Sequence, residues 1–85
     1  MTKKDKLIER FLTTPKDFTF DELVRLFNNF GFETGNKGKT SGSRIEFKNE
    51  SLDLKYYAHK PHPNNVIKAY VLKQVKEFLT DNNLL

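Results

Sequence analysis

The chain has 85 residues, 36% of them hydrophobic and 31% charged, and it contains no cysteine. At this length a domain buries only about 60–65% of its unfolded surface, which supports a small core but no deep cofactor site. Disulfide frameworks, thiolate metal sites and cysteine nucleophiles are excluded. No apolar run reaches the length of about 18 residues that a membrane span needs. The opening MTKKDKLIERFL also lacks an apolar stretch followed by a small-residue cleavage site, so the expectation is a soluble, cytoplasmic protein with no membrane partner. Fifteen Lys and Arg against 11 Asp and Glu give a net charge of +4, which suits an anionic partner and is also ordinary for a small soluble protein.

In chain order, residues 4–13 place Leu7, Ile8, Phe11 and Leu12 at helical spacing, and Pro15 ends that helix. Thr19 stands three residues before Glu22, the spacing of a capping box, and predicts a helix over about 20–30 with Leu23, Leu26, Phe27 and Phe30 on one face. Gly31 then falls where a helix end needs a residue with positive φ. From Phe32 a short strand leads into GNKGKTSGS. RIEFK and LDLKYYAH alternate as strands joined by a turn at Asn49–Ser51. This alternation puts Ile45, Phe47, Leu52, Leu54, Tyr56 and Ala58 on a core face, with Ile45 and Phe47 opposite Leu and Tyr positions. Arg44, Lys55, Tyr57 and His59 share the other face. After KPHP, Asn64 or Asn65 is placed to cap a helix through VIKAYVLKQVKEFLTD, with Ile67, Val71, Val75, Phe78 and Leu79 as its core stripe and Tyr70 and Leu72 flanking it.

The expected fold class is α+β in the order α-α-β-β-β-α, a three-stranded antiparallel sheet packed against helices. Residues 1–85 read as one domain, with 4–13 an additional N-terminal helix and 20–79 the core.

The loop GNKGKTSGS combines glycines with Lys37, Lys39, Thr40, Ser41 and Ser43, a composition that suits phosphate oxygens and equally suits a flexible polar hairpin loop. It is not a P-loop, because Glu33 stands where the first glycine of GxxxxGK[ST] must be. Across residues 35–48 the cations Lys37, Lys39, Arg44 and Lys48 meet Glu46 alone, so most of the net charge concentrates there. His59 and His62 are the only imidazoles. An imidazole can take the proton of a ribose 2′-hydroxyl while a second acid protonates the leaving 5′-oxygen, and this chemistry requires neither metal nor cofactor. As a zinc site the pair is incomplete. Either His can instead be structural, one at a strand end and one exposed. Tyr57 is the better base-stacking candidate, since alternation turns Tyr56 inward, and Lys68, Lys73 and Lys76 read as a solvated face of the last helix.

Three stretches, DELVRLFNNFGFE, KGKTSGSRIEF and HKPHPNNVIKAYVLKQVKEFL, resemble the HicA toxin family of bacterial toxin–antitoxin pairs over roughly residues 20–79. The helix running into Gly31–Phe32 is similar to the family's leucine-rich helix followed by Gly-Phe, and His62–Pro63 to its His-Pro ahead of the last helix. The resemblance implies a fold like a double-stranded-RNA-binding domain and a ribosome-independent mRNA endonuclease neutralised by a HicB-like antitoxin. The family's catalytic histidine follows Gly-Ser in the central loop, whereas here Gly42–Ser43 is followed by Arg44. A guanidinium stays protonated at neutral pH and is no base, but it can hold the scissile phosphate or stabilise charge on the phosphorane.

The reading that follows has catalysis by His59, His62 and Arg44, and RNA phosphate binding by Lys37, Lys39, Ser43, Arg44 and Lys55, with Tyr57 as a stacking surface. Two rivals are a non-catalytic RNA-binding module and a small interaction domain whose basic face docks an acidic protein.

Overall fold

The computed structural model describes residues 3–35, 44–61 and 64–85. Its elements run α1 (Lys3–Leu12), α2 (Phe20–Asn29), β1 (Glu33–Gly35), β2 (Arg44–Asn49), β3 (Leu54–His59) and α3 (Ala69–Asp81). The sheet is antiparallel throughout in the order β1-β2-β3, so the fold is α+β in the expected sequence of elements.

The start of α2 is held by a complete capping box. The Glu22 N–H donates to Thr19 Oγ1 at 3.2 Å and the Thr19 N–H to Glu22 Oε1 at 2.9 Å. Two of the helix's otherwise orphaned donors are satisfied in this way. The same Glu22 carboxylate accepts from Arg10 Nε at 2.7 Å and from Arg10 Nη2 at 3.1 Å, while Nη2 also reaches Asp17 Oδ1 at 3.1 Å. With Phe11 buried beside Phe18 at 5.8 Å between ring centres, this fork ties α1 to the rest of the fold. Leu12, expected on the packed stripe, is exposed, because the helix stops there and the chain turns through Thr14 at φ 51°.

α2 ends in a Schellman turn. Phe32 N–H donates to Phe27 O at 2.9 Å and Gly31 N–H to Asn28 O at 3.0 Å, with Gly31 at φ 89° as its position demanded. The accompanying contact is aromatic: Phe27 and Phe32 meet edge to face at 5.1 Å. Phe27 also stacks on Phe47 of β2 at 4.2 Å and on Tyr56 of β3 at 5.5 Å, and Phe78 of α3 reaches Tyr56 at 4.8 Å. Through these rings α2 and α3 cover one face of the sheet. Among the described residues nothing covers the opposite face, where Arg44, Lys55, Tyr57 and His59 are exposed.

The register pairs Ile45 with Ala58 and Phe47 with Tyr56. The apolar faces coincide, although Ile45 meets Ala58 rather than a Leu or Tyr. Leu52 departs from its expected core position and is 49% exposed. The reason is Asn49, which is only 4% exposed and spans two elements: its Nδ2 donates to Phe30 O at 2.9 Å and its Oδ1 accepts the Leu52 N–H at 3.0 Å. This side-chain turn, completed by Asp53 at φ 55°, lengthens the connection so that β3 begins at Leu54.

The start of α3 also differs from the expectation. Neither Asn64 nor Asn65 caps it; Lys68 is the N-cap residue and makes no side-chain capping bond. Residues 65–67 are instead extended against 18–20, with Phe20 N–H donating to Asn65 O at 2.9 Å and Ile67 N–H to Phe18 O at 2.7 Å. Ile67 is therefore buried ahead of the helix, and the buried stripe of α3 is Leu72, Val75 and Leu79. Val71 and Phe78 pack at its margin, while Tyr70 points to solvent.

Candidate functional site

Strand alternation brings the polar candidates together on the open face of the sheet. In register, Arg44 pairs with His59, Glu46 with Tyr57 and Lys48 with Lys55, while Glu33 and Gly35 of β1 pair with Lys48 and Glu46. The guanidinium of Arg44 lies over the Tyr57 ring, with Cζ 4.4 Å from the ring centre. A cation held over an aromatic face is attracted by the ring quadrupole, and the planar guanidinium keeps its donors free to point outward. Arg44 and His59 are both exposed on neighbouring strands.

Glu46 organises the middle of this face. Its Oε2 accepts from the Tyr57 hydroxyl at 3.4 Å and faces Lys55 Nζ at 3.8 Å. Its other oxygen lies across β1, where a Cβ on Gly35 would come within 3.2 Å of it. A side chain at position 35 would thus require the carboxylate to shift by a few tenths of an ångström. Tyr57 is fixed from two sides, by Arg44 above the ring and by Glu46 at the hydroxyl, and is 47% exposed. Lys55 is accordingly part of an ion pair rather than a free cation.

Of the residues singled out by sequence, Arg44, Lys55, Tyr57 and His59 are thus gathered on one face. Lys37, Lys39, Ser43 and His62 lie outside the described residues. Tyr56 is on the covered face, where burial pushes its phenol above the ordinary value. It is no stacking platform. Alternation in the sequence sets Glu46 between Arg44 and Lys48 on this face, but its contacts with Tyr57 and Lys55 depend on the pairing with β3.

Around the free edge of β3 the face continues into a groove of about 330 Å³, bounded by Tyr57, His59, Lys60, Lys68, Tyr70 and Val71. Among the described residues no helix is long and apolar enough to cross a membrane, and no cluster of three His, Asp or Glu could hold a metal ion.

Fold and face together define a small α+β domain that presents a guanidinium, an imidazole and a tyrosine on one side of an antiparallel sheet. Compared with family models, with curated proteins and with solved structures, the chain matches none.

Proposed function

We propose that this protein is a HicA-like toxin: a cytoplasmic, metal-independent mRNA endonuclease on a scaffold like a double-stranded-RNA-binding domain, held in check by a HicB-like antitoxin. The observation that carries the reading is the cross-strand pairing of Arg44 with His59 on an open sheet face, with Arg44 laid over Tyr57. In this reading Arg44 holds the scissile phosphate, and its fixed positive charge meets the negative charge that builds on the non-bridging oxygens as the phosphorane forms. The imidazole of His59 takes the proton of the adjacent 2′-hydroxyl, whose oxygen then bonds to phosphorus while the bond to the 5′-oxygen breaks. His62 is the natural donor of the proton that the leaving 5′-oxygen needs. Lys37, Lys39 and Ser43 supply further phosphate contacts, and Tyr57 a stacking surface.

The products of this route are a 2′,3′-cyclic phosphate and a 5′-hydroxyl. Incubating the purified chain with RNA in excess EDTA and identifying the new ends tests it. A 5′-phosphate end would refute the mechanism, and intact RNA that is nevertheless bound would favour the binding-module reading.

A further inference from the structure

The groove beside β3 has features that the cleavage chemistry does not use. Its floor is apolar, made by Ala58, Ile67 and Val71, and its rim carries the ammonium groups of Lys60 and Lys68 and the ring of Tyr70, which is 61% exposed. Among the described residues no carboxylate lines it. Apolar walls, an aromatic ring free to stack and cations without a counter-charge form a combination that suits a nucleotide, whose base seeks a π-face and whose phosphates seek Lys. About 330 Å³ is at the small end of ligand pockets, room for a single base rather than for a helix. The groove is also continuous with the site, since Tyr57 and His59 belong to both.

We infer that this groove seats one unpaired base of the RNA strand, next to the phosphate held at Arg44 and His59, so that the protein engages single-stranded RNA at the point of cleavage. The inference rests on the RNA reading above and adds the strandedness of the substrate and a base-binding subsite. Paired bases in an A-form duplex are stacked and cannot enter such a groove, so the open sheet face selects against duplex despite its charge.

The probe is a short labelled 2′-O-methyl RNA strand, which lacks the attacking hydroxyl and is not cut, compared with an abasic strand of the same length and with a duplex. Binding is followed by fluorescence anisotropy for the wild type, Tyr70→Ala, Tyr70→Phe and Arg44→Ala. The expected result is about tenfold weaker binding of the single strand by Tyr70→Ala, with Tyr70→Phe close to wild type because it keeps the ring. The abasic strand should bind more weakly and be indifferent to Tyr70, and the duplex should bind more weakly than the single strand. If the single strand binds, weakens with Arg44→Ala and ignores Tyr70→Ala, the base subsite is overturned while the RNA reading stands. Equal binding of duplex and single strand overturns it in the same way. If no strand binds the wild type, the RNA reading itself falls, and the subsite with it.

Discussion

Asn49→Asp tests the device that joins the end of α2 to the β2–β3 turn, and thereby the placement of the whole site face. In the wild type the Asn49 amide donates to Phe30 O and accepts from Leu52 N–H while almost wholly buried. Aspartate keeps the acceptor for Leu52, but its ionised carboxylate puts a second oxygen against the Phe30 carbonyl, 2.9 Å from where the amide nitrogen stood. One half-buried carbonyl loses its donor, and a charge at the buried position 49 is left without a partner. Together these cost about 3 kcal/mol at neutral pH. An 85-residue domain of ordinary stability holds about 4–13 kcal/mol, so the variant should still fold but melt some 12–24 °C lower. Burial raises the pKa of an introduced carboxyl, and the protonated acid is a near-isostere of the amide, with an O–H to donate to Phe30 O. Because the folded-state pKa lies above the unfolded one, the stabilising form is present at low pH and is lost as pH rises. Urea unfolding followed by circular dichroism at pH 7.5 and pH 5 should therefore show the gap between variant and wild type shrinking on acidification. Asn49→Ala, with no proton to gain, should show a constant gap. A loss in Asn49→Asp below about 0.5 kcal/mol, or one that does not change with pH, would refute the argument.

Glu22 has its carboxyl held at about 2 by Arg10 first and by the Thr19 N–H after it, against the burial that opposes it. Since the folded pKa is depressed, the stability that Glu22 adds is complete above its ordinary value of about 4.5 and disappears as pH falls toward about 2. The difference in unfolding free energy between wild type and Glu22→Gln should follow that course in a pH series, and a difference that grows on acidification would contradict it. Gly31→Ala places a β-carbon at φ 89° and 3.0 Å from Asn49 Nδ2, so it should lose about 1–2 kcal/mol for the left-handed backbone and more if Asn49 is displaced, measured by chemical denaturation. Gly35→Val should shift Glu46 by a few tenths of an ångström relative to Tyr57 and Lys55, visible as altered tyrosine ring signals in NMR spectra with only minor loss of stability.

What was legible in the sequence was what local geometry decides. The capping box at Thr19 and Glu22, the positive φ at Gly31 and the alternation that sets Arg44, Tyr57 and His59 on one face all depend on neighbours a few residues apart. What was not legible depends on partners far along the chain. Asn64 and Asn65 look like caps, but the backbone of residues 65–67 is committed to Phe18 and Phe20, some 47 residues earlier, so α3 cannot begin until Ala69. Leu52 continues the alternation on paper, yet the Asn49 side chain draws its N–H into a turn. Glu46 was readable as a position but not as the group that anchors Tyr57, because that role needs Gly35 of another strand to leave it room.

The proposed function requires Arg44 and His59 to act together on RNA. The direct measurement is the single-turnover rate of cleavage of a short RNA strand in EDTA by wild type, His59→Ala, Arg44→Ala and Arg44→Lys, each checked for folding by circular dichroism. The account predicts that His59→Ala loses at least about 100-fold in rate, as expected on removing a general base, while still binding the strand. Arg44→Ala should weaken both binding and rate, and Arg44→Lys should recover binding better than rate, because an ammonium cannot reproduce the guanidinium's fork. Cleavage by His59→Ala at the wild-type rate would contradict it.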